Sequence, residues 1–231
     1  VNPARRPASH AAGVRSVIAR LFYLVFPTQS LLLDEMMGRF RGVTRERLYL
    51  SDGGHFENTA AYELIRRRAR LIVICDDGCD PAATFGDLGH LVRKVRTDLQ
   101  AEMRPFTEDE LKDLLRPELA GVVGTLKDLR PDAMGHVTRH VALFWIHYED
   151  EAQPGSLVIL IKPAMTGDEP VDLLNYRSEN PAFPQQTTMD QFFDEAQWES
   201  YRKLGEVIGG QVFAFADPGK GECFGGIAGF P

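Results

Sequence analysis

The chain has 231 residues, 44% of them hydrophobic and 26% charged, with a formal net charge of -7. This is an ordinary globular composition, long enough for one large domain or two small ones. The acidic balance argues against nucleic acid as a general partner and against purely electrostatic docking on an anionic membrane, since both rely on clustered Lys and Arg.

Residues 1–13 are rich in Pro, Ala and Arg and are expected to be loose. They contain no apolar core of the kind a signal peptide needs. The chain begins at Val1, as a processed protein or a piece of a longer one would. Residues 14–40 follow a helical, apolar pattern that Pro27 interrupts. Within them Val17 to Phe26 reads VIARLFYLVF, too short for a bilayer span of ~20 residues. It reads as a core or subdomain helix, or as an interfacial segment with Phe22, Tyr23 and Phe26 as lipid anchors. Residues 1–45 are therefore expected to be a loose segment followed by an apolar helix.

Leu48 to Leu50 reads as a short strand. Asn58 to Arg68 reads as a helix capped by Asn58, with Ala61, Leu64 and Ile65 as its apolar stripe. Arg66, Arg67 and Arg68 fall in its last turn, where the helix dipole favours positive charge. Leu71 to Cys75 is a continuous apolar run, as in strands buried on both faces. Thr84 to Leu99 reads as a helix with Phe85, Leu88, Leu91, Val92 and Val95 on one side. The order strand, helix, strand, helix predicts an α/β fold with a mostly parallel sheet flanked by helices.

Residues 100–135 are mixed and charged and read as an excursion from the sheet, with a capping box at Thr107 and Glu110. Val141 to Tyr148 and Leu157 to Ile161 read as two strands joined by a short polar connection, an added antiparallel hairpin. Thr187 to Gly205 reads as a helix with a capping box at Thr188 and Gln191, and with Phe192, Phe193, Trp198 and Leu204 as its bulky apolar set. The main domain is thus expected over residues 46–215, and residues 216–231 form a Gly-rich tail.

Three cysteines, Cys75, Cys79 and Cys223, suggest no disulfide framework and favour a reducing compartment. Cys75 reads as a buried strand residue. A zinc site drawn from Cys75, Cys79, His136 and His140 departs from the usual tight cysteine spacing. Asp76, Asp77 and Asp80 at a strand end could hold a divalent cation, or Asp76 and Asp77 could cap the next turn. There is neither Gly-x-Gly-x-x-Gly nor a Walker-type phosphate loop, and no metal or cofactor is expected. A nucleophilic serine on an α/β strand-to-helix turn sits in Gly-x-Ser-x-Gly, which is absent. Gly155-Ser156 precedes a strand, and Ser51 points away from its neighbour Asp52.

One segment remains. Asp52 ends an apolar run and is followed at once by Gly53 and Gly54. A carboxylate at the carboxyl end of a strand, on a turn permitting close approach, is where α/β enzymes place catalytic acids. Asp-Gly-Gly alone makes a turn anywhere. The longer run Leu50-Ser51-Asp52-Gly53-Gly54-His55-Phe56-Glu57-Asn58, then Tyr62 to Arg68, then Leu71 to Asp76, resembles the C-terminal half of bacterial patatin-like phospholipases. Asn180 to Pro184 and Asp190 to Tyr201 are similar to that group too. The resemblance covers most of residues 45–205.

What it implies is part of a three-layer patatin-like fold and a lipid acyl hydrolase with a Ser-Asp dyad, in which Asp52 is the base partner. Gly53 and Gly54 would leave room for the acyl group, and His55 would be a local structural residue. The serine and the oxyanion donors would come from an upstream portion, on the same polypeptide or a separate chain. The implied partners are that portion, an acyl-lipid substrate and a membrane surface touched peripherally, in the cytoplasm or at a membrane. The alternative is a non-catalytic binding or scaffolding fragment of such a protein.

Overall fold

The computed structural model describes residues 17, 21–39, 52–115, 117–149 and 155–213. The predicted strand Leu48 to Leu50, most of the connection within the hairpin and the Gly-rich tail lie outside these residues. The chain forms two units, residues 1–52 and 53–231.

In the first unit residues 21–25 are helical, Phe26 is not, and helix α1 spans Pro27–Met36. Pro27 occupies the first turn of α1, where its missing N–H removes no helical bond. Ser30 and Asp34 are its buried residues.

The second unit is α/β, built on a mixed sheet of five strands. Its elements are α2 (Ala61–Arg66), β1 (Leu71–Cys75), α3 (Gly86–Leu99), β2 (Ala101–Pro105), α4 (Glu108–Leu114), β3 (Val123–Gly124), β4 (Val141–Tyr148), β5 (Ser156–Ile161), α5 (Val171–Glu179) and α6 (Glu195–Phe213). The strand order is β1-β5-β4-β2, with β3 beside β4. β1 runs parallel to β5 and β3 parallel to β4, while β4 is antiparallel to both β5 and β2. The expected hairpin is β4–β5, with Val141 opposite Ile161 and Ile146 opposite Ser156.

Alternation along the strands divides the core between the two faces. Ile72, Ile74, Phe144, Ile146, Val158 and Leu160 pack under Ile65 of α2 and Leu88, Leu91 and Val95 of α3. Leu143, Leu157, Ile159 and Ile161 pack under Leu173 and Tyr176 of α5 and Leu204, Ile208 and Val212 of α6. The result is helices, sheet, helices in three layers.

β1 departs from the expected two-sided burial. Ile72 and Ile74 are buried, but Val73 and Cys75 are exposed. β1 ends the strand order, and the second helical layer does not cover it fully. The expectation of a buried Cys75 is thereby corrected.

Residues 100–135 are an excursion only in part, because Ala101–Pro105 and Val123–Gly124 are strands of the sheet. Ala101 and Met103 face the core while Glu102 and Arg104 face solvent, so this short charged run is an amphipathic strand paired along β4. The capping box forms as expected: Glu110 N donates to the Thr107 hydroxyl, and the Glu110 carboxylate accepts from Thr107 N. Arg104 and Thr107 hold the Glu110 carboxyl down to about 2.

Two caps differ from their predicted residues. α6 starts at Glu195, where Asp194 accepts from Gln197 N at 2.7 Å, eight residues beyond Thr187. Of the predicted apolar set only Leu204 is buried; Phe192, Phe193 and Trp198 are exposed. For α2 the N-cap position is Ala60, which carries no side-chain cap bond, and the first-turn amide of Tyr62 is taken by Glu57, not Asn58. The buried Glu57 carboxylate accepts from the Thr59 N–H, the Thr59 hydroxyl and Tyr62 N. Replacing Glu57 by Ala strands these donors and is expected to cost about 1–2 kcal/mol. Urea denaturation of the chain reads this directly, and an unchanged midpoint would show that the cap is dispensable.

Candidate functional site

The turn that follows Asp52 is tightly held. Gly53–His55 forms a single 3₁₀ turn, and the Gly53 carbonyl accepts from both Phe56 N at 2.9 Å and Glu57 N at 2.7 Å. Three side chains then fasten the segment to its surroundings. Phe56 meets Tyr62 edge to face at 4.9 Å and carries the Lys94 ammonium 3.8 Å from its ring centroid. Asn58 Nδ2 donates to Asp87 Oδ2 at 3.2 Å. Tyr62 donates from its hydroxyl to Asp98. Lys94, Asp87 and Asp98 all belong to α3, so that helix is the rail along which residues 56–62 are set. The side chain predicted to cap α2, Asn58, is used here instead.

Gly53 and Gly54 are exposed. A Cβ built on Gly53 would meet nothing within 4 Å. Packing within the chain therefore does not demand glycine at that position. Asp52, the last residue of the first unit, is exposed.

A second polar centre lies at the carboxyl ends of the parallel strands β1 and β5, the edge at which open α/β sheets bind ligands. The two ends are tied by Asp76 N donating to the Ile161 carbonyl at 2.9 Å. Lys162 follows β5 directly and is buried. Its ammonium donates to Asp76 Oδ2 at 3.0 Å and to the Gly78 carbonyl at 3.3 Å. Asp76 also accepts from Gly78 N, the turn cap anticipated for it. Gln185 crosses between the two loops, accepting from Asp80 N at 2.7 Å and donating to the Pro163 carbonyl at 3.2 Å. Over this floor lies a cleft of about 450 Å³, with Asp80, Lys162, Arg177, Asp132, Met134 and Gln185 among its lining residues.

Lys162 was not legible as a site residue. Its signal is local and weak: a lysine placed without a spacer behind the wholly buried strand Ser156–Ile161.

The other candidates resolve into structural roles. Asp80 accepts from Thr84 N and Phe85 N and from the Thr84 hydroxyl, initiating the turn into α3. Asp76 is engaged by Lys162 and the turn, and among the described residues no group of three or more His, Cys, Asp or Glu is arranged to hold a metal. Cys79 donates to the Gln185 carbonyl. His140 is buried, and burial pushes its pKa down against the opposing pull of Glu169 and Asp168. Ser156 is buried in β5, with its hydroxyl 2.8 Å from that of Tyr148. It is closed to substrate, in keeping with the absence of a nucleophile motif around it.

The loop 76–80 has an acid response of mixed sign. Burial pushes the Asp77 carboxyl up, Asp76 adds to this, and Lys162 opposes it. Burial pushes Asp80 the same way, but the bonds from Thr84 and Phe85 outweigh it and hold Asp80 below its ordinary 3.8. A carboxylate depressed on folding contributes stability above its unfolded pKa and loses it as pH falls through the folded value. Asp77 acts oppositely, favouring the fold as it gains its proton. Asp80→Asn removes the charge and keeps one of the two acceptor oxygens, so beside a general loss from the missing bond, the loss of stability between about pH 5 and pH 2 should become shallower. Urea midpoints across that range check this; an unaltered slope would contradict the assignment.

Comparison of the chain with protein-family models, with curated proteins and with solved structures yields no match.

Proposed function

We propose that this chain is the acid-bearing portion of a lipid acyl hydrolase of the patatin-like kind, with Asp52 as the base of a Ser-Asp dyad. One observation carries most of the weight: Asp52 precedes a glycine whose Cβ direction is empty, on a segment whose downstream side is fixed to α3 by Phe56, Asn58 and Tyr62. Rigid support on one side of an acid and vacant space at the adjoining residue suit a catalytic carboxylate better than a plain turn. The resemblance of residues 50–58, 62–68 and 71–76 to patatin-like phospholipases supplies the reaction class.

In this reading a serine outside residues 1–231 gives its hydroxyl proton to the Asp52 carboxylate as its oxygen bonds to the ester carbonyl carbon. Protonated Asp52 then returns the proton to the leaving alkoxide as the ester C–O bond breaks, leaving an acyl-serine. Water attacks that acyl carbon, giving its proton to Asp52, and the proton passes to the departing serine oxygen. Oxyanion donors come with the serine-bearing portion. Asp52 is exposed in this chain, so the desolvation that makes a carboxylate more basic comes from that portion and the bound acyl chain.

The test is hydrolysis of a short nitrophenyl ester and of a phospholipid by the complete polypeptide and by these 231 residues alone. Activity in the first and none in the second is expected. Turnover by the 231 residues alone would overturn the two-part site.

The cleft above Lys162 favours a second reading, a binding module. Its volume falls in the range of small-molecule sites, and its polar groups converge at the strand ends. A complete polypeptide inert toward esters would leave that reading standing and remove the first.

A further inference from the structure

Among the described residues of the first unit the buried side chains are polar, and the large apolar side chains are exposed together with Thr28, Gln29 and Glu35. In α1 the buried residues are Ser30, 3% exposed, and Asp34, 6% exposed, whereas Leu31, Leu32 and Leu33 are all exposed and Met36 is 84% exposed. The preceding helical residues continue the pattern. Leu21, Phe22 and Val25 are exposed and Leu24 is 74% exposed, while the Tyr23 hydroxyl donates to the buried Asp34. Ser30 donates to the Phe26 carbonyl at 2.7 Å. A helix of a water-soluble fold does the reverse, burying leucines and exposing serine and aspartate. So many large apolar side chains left uncovered on one short stretch mark a surface that meets an apolar partner.

Charge indicates which apolar surroundings these are. The net charge of -7 is not evenly spread. In sequence Arg15 and Arg20 precede the apolar run, and Arg39, Arg41, Arg45 and Arg47 follow it, against only Asp34, Glu35 and Glu46 across residues 14–47. Asp34 is turned inward. Basic residues on both flanks of an apolar segment, with the exposed Phe22 and Phe26 at its break, match the anionic headgroup layer above an acyl phase. A protein groove would supply apolar contact without calling for flanking cations. Among the described residues no helix is long and apolar enough to cross a membrane.

We propose that residues 21–37 lie in the surface of an anionic lipid bilayer, with the exposed leucine and methionine side chains in the acyl boundary and the basic sequence on either side favouring anionic headgroups. The proposal rests on polarity and charge, and does not depend on the hydrolase reading.

Flotation of the 231-residue chain with phosphatidylcholine vesicles, with and without phosphatidylglycerol, tests it. The chain should float with both, more strongly with phosphatidylglycerol, and salt should reduce the difference. Exposed Leu24, Leu32 and Met36 can be changed without touching the Tyr23–Asp34 bond. The triple substitution Leu24→Gln, Leu32→Gln and Met36→Gln should weaken partition by about tenfold or more. The Asp52→Asn chain should float as the unsubstituted one does, which separates this test from that of the hydrolase. No flotation of the unsubstituted chain, or flotation indifferent to the triple substitution, would overturn the proposal. So would a stable dimer in solution that the triple substitution dissociates in the absence of lipid binding, because the apolar surface would then be a protein interface.

Discussion

In the complete polypeptide, Asp52→Asn should lower ester hydrolysis by roughly 10²–10⁴-fold, the range for loss of a positioned general base. The effect should fall on kcat, because Asn occupies the same volume and leaves the acyl site intact. Asn cannot take the serine proton. His55 belongs to the exposed 3₁₀ turn Gly53–His55, and Glu57 is buried and occupied by Thr59 and Tyr62. Gly53→Ala gives a companion result. Its Cβ would meet nothing within 4 Å, so the 231 residues should keep their stability. If the proposed dyad holds, hydrolysis by the complete polypeptide should fall, because the methyl group would enter the space that reading gives to the acyl ester. Equal activity in Asp52→Asn would remove Asp52 from the chemistry.

The largest expected effect on stability is at Lys162. Its ammonium and the Asp76 carboxylate are almost wholly removed from water, 3.0 Å apart, at the point where β1 and β5 end together. Replacing Lys162 by Met leaves a buried carboxylate without its cation and the Gly78 carbonyl without its donor. Loss of one partner of a buried pair costs about 3–5 kcal/mol. Adding Asp76→Asn to Lys162→Met removes the stranded charge and preserves the bond to Gly78 N, so the double variant should recover part of the loss. Urea denaturation of the 231-residue chain gives both values. A loss below about 1 kcal/mol in Lys162→Met would place the pair within reach of solvent, where ion pairs contribute little.

The layered α/β fold was legible where hydrophobic period was clean. β1, α3, β4 and β5 stand close to where the apolar runs put them, because continuous and 3.6-period patterns leave little choice. β2 was hidden: in Ala101–Pro105 only Ala101 and Met103 face the core, and the charged residues between them read as a loop until β4 is present to pair with them. The caps misled for a different reason. Asn58 and Thr188 have capping side chains at plausible places, but Asn58 is drawn to Asp87 on α3. Glu57 and Asp194 take the helix N-termini instead. Such competition between short polar side chains is settled by tertiary neighbours.

The candidate site divides in the same way. Asp52, Gly53 and Gly54 are visible as a motif because their spacing is local. Lys162 is not, since its significance comes from a partner 86 residues away in sequence. The exposed Val73 and Cys75 edge of β1 was equally hidden, because an apolar run does not reveal which of its faces will be covered.

The central claim is that Asp52 activates a serine carried elsewhere. Covalent labelling of the complete polypeptide with a fluorophosphonate, followed by peptide mapping, tests it most directly. The expected result is one labelled serine outside residues 1–231, with a labelling rate that falls by roughly 10²-fold or more in Asp52→Asn, as loss of a general base requires. A label on a serine within residues 1–231, or labelling at the same rate in the two proteins, would contradict the account.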